Sequence, residues 1–173
     1  RLEKYAGEVR YIGDAVLMIK RIYKNAPFLI PDDQEPWSTQ CLKMMDCGNE
    51  DIQASATLAS TYIWINLIKA GADPNPIYEA AFKNLDSGGP LVVSSAFRLF
   101  THFISNDIIP EEELFSQVIS KAIEQINNDY GDEMGQDELE LSSKLYKFWA
   151  IIATKFPSQF PINQFIDNGK RIL

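Results

Sequence analysis

The side chains that could do chemistry are few, and their spacing narrows them further. His102 is the only histidine, so a metal cluster built on several imidazoles is excluded, and any Ser-His-Asp or Cys-His site would depend on this one ring. Cys41 and Cys47, the only cysteines, stand six residues apart, which is neither a CxxC redox pair nor half of a ligand set. Buried or half-buried free thiols are expected. Gly88-Gly89 lacks the GxGxxG or GxxxxGK context in which backbone amides cradle a phosphate, so it reads as a turn. No catalytic, cofactor-binding or metal-binding residue is assigned.

Charge is the stronger signal. Between 129 and 140 the chain carries Asp129, Asp132, Glu133, Asp137, Glu138 and Glu140 and no positive charge. Such a run reads as a contact for a basic segment of a partner, through long-range attraction and charge-assisted hydrogen bonds, or as a solvated loop. Lys20, Arg21, Lys24, Lys144 and Lys147 form modest basic clusters near aromatics. They read as solvated helix faces, with a contact to nucleic acid or to an acidic peptide as the alternative. The net charge of −8, from 24 acidic and 16 basic residues, argues against direct nucleic-acid binding, because phosphate-neutralising surfaces are usually basic.

The elements that must position these groups are helical. Val9, Ile12, Val16, Ile19 and Tyr23 recur at helical spacing, which predicts a helix from Arg1 to Asn25, with a bend at Gly7 or Gly13, stopped by Pro27. Short helices are expected over Trp37–Met45 and Pro76–Leu85, and longer ones over Ile52–Ala70, Leu91–Ser105, Glu111–Asn127 and Leu139–Lys155. Asn49 or Asp51 can cap the helix that follows, and Gly71 is the expected left-handed stop.

A shift of 40 positions lays residues 36–71 on 76–111 with nine identities, where chance gives roughly two. They are Pro36/Pro76, Lys43/Lys83, Asp46/Asp86, Gly48/Gly88, Ser55/Ser95, Ala56/Ala96, Thr61/Thr101, Asn66/Asn106 and Ile68/Ile108. A shift of 48 then lays Ser94, Ser95, Phe100 and Ile104 on Ser142, Ser143, Phe148 and Ile152, so the third unit carries an insertion of about eight residues, Asp129 to Asp137. The stretch Ile22 to Pro31 also echoes Ile152 to Pro161 in its paired prolines. Units are therefore expected at 36–71, 76–107 and 110–156, with half-units at 1–30 and 161–173. A helical hairpin exposes an apolar face that only stacked neighbours can cover, so Trp64, Phe97, Phe100, Phe103, Phe148 and Trp149 read as packing between units, not as a ligand pocket.

Short helix, Asp-Gly turn, longer helix with Ser-Ala near its start and a period near 40 together resemble a HEAT-type, armadillo-like repeat array. The second-helix arginine of many HEAT repeats is absent, since Gln53 and Val93 fall near that place. The resemblance implies an all-α fold, a right-handed superhelix of antiparallel helix pairs forming an α-solenoid segment. Both ends break off inside a unit, so a longer parent chain is expected. By the same resemblance the chain is expected to be a non-enzymatic scaffold or adaptor, most like a nuclear transport receptor carrying basic cargo. A subunit of a chromosome-organising complex or a vesicle coat is the alternative, and a regulatory arm of an enzyme is the alternative of another class. No apolar run is long enough to span a bilayer, and two cysteines in a chain of this size fit a reducing cytoplasm or nucleus.

Overall fold

Prolines, glycines and one asparagine mark many of the helix limits. The computed structural model describes residues 2–127 and 135–166. Along them run α1 (Leu2–Asn25), α2 (Glu35–Met44), α3 (Glu50–Lys69), α4 (Asn75–Ser87), α5 (Pro90–Ser105), α6 (Glu112–Asn127) and α7 (Gln136–Lys155), and a further helical turn covers 162–166. The fold is all-α: no strand occurs among the described residues. None of the described helices is long and apolar enough to cross a membrane.

Proline sits in the first turn of α2, α4 and α5, where its missing N–H costs no helical bond. Asn49 caps α3, its side-chain oxygen accepting from the Ile52 N–H at 3.1 Å. Gly71, at φ +99°, ends the same helix. Its N–H donates to Ile68 and that of Ala72 to Leu67, both at 3.0 Å, which satisfies carbonyls left without intrahelical donors. Asp107 repeats this arrangement after α5 at φ 61°, with donation from Asp107 to Ile104 and from Ile108 to Phe103.

The two copies are therefore unequal. α3 and α5 begin 40 residues apart but have 20 and 16 residues, so α5 is about one turn shorter. Asn66 lies within α3 while Asn106 caps the end of α5, and Ile68 is helical while Ile108 lies beyond its helix. The last two sequence identities thus join non-equivalent places.

The echo between the two ends is conformational as well. Pro27–Leu29 and Pro157–Gln159 each form a single 3-10 turn after a long helix. The residues before them match closely, Ala26 at φ −140°, ψ 58° and Phe156 at φ −135°, ψ 61°. α1 runs as one helix through Gly7 and Gly13, and its exit repeats that of α7.

Helices α1, α3, α5 and α7 pack in succession as one row, and α2, α4 and α6 lie behind it. α3 is held between α1 and α5 with α2 and α4 at its back, so its buried residues run almost all round, from Ile52 and Ala56 to Ile63 and Trp64. Ala56 and Ala59 are fully buried, and their small side chains allow the neighbouring helices to approach. Aromatic rings fill the next layer. Tyr78 stacks on Phe100 at 6.4 Å and meets Phe103 edge-on at 5.9 Å, while Phe97 and Phe148 join α5 to α7 at 5.3 Å. Trp64 and Trp149 are both buried in this packing.

Candidate functional site

The side of the row turned away from α2, α4 and α6 is open, and helix periodicity identifies it. On α3, Ser55, Leu58 and Tyr62 are half-buried and Asn66 and Lys69 exposed, whereas Thr57, on the opposite side, bonds Asn84 of α4 at 3.1 Å. On α5 the open stripe is Leu91, Arg98, His102 and Ser105, opposite the Phe100 and Phe103 rings that meet Tyr78. On α1 it holds Lys20, Arg21 and Lys24, and on α7 Glu140 and Lys144. Four helices therefore present polar groups to one surface.

These groups gather instead of spreading. The Tyr62 and His102 rings lie 5.7 Å apart at 49°, so two positions that the 40-residue frame makes equivalent meet across α3 and α5. Burial pushes the His102 imidazole below its ordinary pKa, and Arg98, Lys20 and Lys24 push it the same way. Burial likewise lowers the Lys20 ammonium, followed by Arg98, Lys24 and Arg21, with Glu140 opposing. Lys20 and Lys24 are one turn apart on α1, as are Arg98 and His102 on α5, which stacks each pair on its helix face.

Counter-charges are scarce there. Among the described residues, the ion pairs are Lys83–Asp46, Lys121–Asp86, Lys121–Glu124, Lys144–Glu140 and Lys155–Asp107. Lys20, Arg21, Lys24 and Arg98 are in none of them. The centre of the open face is thus basic on a chain whose net charge is −8.

The carboxylates singled out in the sequence are divided. Asp129, Asp132 and Glu133 lie outside the described residues. Asp137, Glu138 and Glu140 do not belong to a loop: α7 starts at Gln136, so they occupy its opening turns, where the positive end of the helix dipole favours negative charge. Glu140 pairs with Lys144 at 3.2 Å and faces the basic cluster.

Neither thiol forms a site. Cys41 is buried and its pKa is pushed up to about 11 by desolvation. Cys47 is exposed, against the expectation of burial, because it sits in the turn after α2 with its Sγ toward the Asn49 carbonyl at 3.8 Å. No grouping of three or more His, Cys, Asp or Glu able to hold a metal occurs among the described residues. The residue that the sequence reading passed over is Arg98, and the available signal was its spacing of four from His102 on a helix with no other Lys, Arg, Asp or Glu. No protein-family model, curated protein or solved structure matches this chain.

Proposed function

We propose that this chain is a segment of a HEAT-type helical-repeat scaffold, a right-handed superhelix of antiparallel helix pairs that binds other proteins and performs no chemistry of its own. The observation that carries this reading is the open face of the α1–α3–α5–α7 row. Arg98 and Lys20 are half-buried on it and in no ion pair among the described residues, an arrangement completed by an outside counter-ion. Two free thiols, one of them exposed, suit a reducing cytoplasm or nucleus.

A carrier of basic segments, acting through the acidic residues near 129–140, is the second reading, favoured by the net charge of −8. The two separate by mutation. Affinity capture of the full-length protein followed by mass spectrometry should recover a defined set of proteins. Arg98→Glu combined with Lys20→Glu should lose that set, while neutralising Asp137, Glu138 and Glu140 should keep it. The opposite pattern supports the carrier of basic cargo, and recovery of no protein at all sinks the scaffold.

A further inference from the structure

Other surfaces offer less. The cleft between α4 and α6, lined by Phe82, Ser116, Gln117 and Lys121 among others, is open, and its lysine is already tied to Asp86 and Glu124. Phe28 and Leu29 expose an apolar tip after α1 with nothing to indicate what would cover it.

We propose that the open face at Lys20, Lys24, Tyr62, Arg98 and His102 docks a carboxylate-rich segment of a partner protein. The assignment rests on the scaffold reading and adds the chemistry of the bound segment. Charge complementarity is the first argument: this is a locally positive surface on a chain of net charge −8, and its cations have no carboxylate of their own among the described ion pairs. Cations held partly out of water gain more from a partner's carboxylate than fully solvated ones do, because screening is weaker.

Geometry supplies the second argument. Arg98 offers a planar fork that takes a carboxylate through two parallel N–H bonds. Lys20 and Lys24 lie on α1, which packs on α3 as α5 does, so an extended chain crossing α3 meets cations from both neighbouring helices. Between them the Tyr62–His102 ring pair provides an aromatic floor for an intervening side chain. Glu140, paired with Lys144, borders the site on the α7 side and directs the anion toward α1 and α5.

A peptide fits better than a nucleic acid. A polyanion extends its charge well beyond the patch and meets the net negative chain, whereas a segment with two or three carboxylates interacts within about one Debye length, about 8–10 Å.

The test is fluorescence anisotropy with the whole chain and three labelled probes: a Gly/Ser octapeptide carrying three Glu, the same peptide with three Lys instead, and a short oligothymidine. The acidic peptide should bind tightest, and its affinity should fall as salt rises. Arg98→Glu should weaken it by about tenfold or more, and Lys24→Glu, at an exposed position where folding is not at risk, by several-fold. Lys43→Glu on α2, behind the row, should leave it unchanged. Equal affinity for the two peptides, tighter binding of oligothymidine, or indifference to both Arg98→Glu and Lys24→Glu overturns the proposal. Protein partners that still depend on Arg98 when the acidic peptide fails to bind would leave the scaffold standing and remove only this assignment.

Discussion

Lys83 of α4 reaches back across a unit boundary to Asp46, in the turn after α2, with 2.6 Å between Nζ and Oδ2. One unit later Lys121 of α6 meets Asp86 at 2.7 Å. The repeated Asp46 and Asp86 are thus each held by a lysine of the next back-row helix, Lys83 at a repeat position and Lys121 two residues short of one. At the other end of the hairpins Lys69 donates to Asn106 at 2.8 Å, and Lys155 to Asp107 at 2.6 Å and to the Ile104 carbonyl at 2.8 Å. The contacts from the α2–α3 pair to the α4–α5 pair, and from that pair to α6–α7, are therefore each bracketed by a lysine at both ends.

The Lys83 side chain is 58% and the Asp46 side chain 63% exposed, so screening keeps their pair modest. Asp46→Lys or Lys83→Asp alone should cost about 0.2–1 kcal/mol, and the double exchange should recover most of it. Urea denaturation at low and high salt measures this. A double exchange no more stable than either single variant would show that the contact holds nothing.

Gly48 and Gly88 overlay in the sequence but serve different ends. Gly48 has φ +74° and open space around the place of a Cβ. Gly88 has φ −80°, and a Cβ there would come within 2.6 Å of the Asn84 carbonyl and 2.7 Å of Val92. Gly48→Ala should therefore cost about 1 kcal/mol through backbone strain, and Gly48→Asn less, since asparagine visits the left-handed region. Gly88→Ala should cost about 1–3 kcal/mol through crowding, and Gly88→Asn no less. Equal rescue by asparagine at both positions in thermal unfolding would remove the distinction.

That pair shows what the sequence could and could not carry. Breakers and apolar spacing act locally, so Pro36, Asn49, Gly71, Pro76 and Pro90 marked the helix limits to within a few residues. Identity of residue type does not report conformation, so Gly48 and Gly88, or Asn66 and Asn106, looked equivalent when they are not. The open face was legible only in fragments. Lys20 and Lys24 lie far along the chain from Arg98 and His102, and only the packing of α1, α3 and α5 brings their charges together. α7 starts before Leu139 because Asp137, Glu138 and Glu140, which resemble a solvated loop by composition, are favoured by the positive end of the helix dipole.

The two thiols should differ sharply. Burial holds the Cys41 pKa up at about 11, from an ordinary 9.0, whereas Cys47 is exposed. A colorimetric disulfide reagent near pH 8 should titrate one thiol quickly in the folded chain and two in denaturant. Cys47→Ser should abolish the fast phase. Linkage gives the matching stability trend: the unfolded thiol ionises first, so the contribution of Cys41 is intact below about 9 and is lost as pH rises toward 11. A fast phase that survives Cys47→Ser would contradict the burial of Cys41.

His102 is the only histidine, so one imidazole signal in a proton NMR titration reports the open face without assignment work. The groups around it are Arg98 on its own helix, Lys20 and Lys24 on α1 and Tyr62 on α3, while Glu140 and Lys144 on α7 pair with each other. Its midpoint should lie below 6.5, first from burial and then from Arg98, Lys20 and Lys24. As pH falls the unfolded chain takes up this proton before the folded one, so stability should decline from about 6.5 down to the folded midpoint and then level. His102→Gln should flatten that decline. Arg98→Gln should move the midpoint up by removing a neighbouring cation, and saturation with the three-Glu octapeptide should move it up as well, since a bound carboxylate favours the imidazolium. A midpoint at or above 6.5 that neither Arg98→Gln nor the peptide shifts would show that these charges do not share one surface.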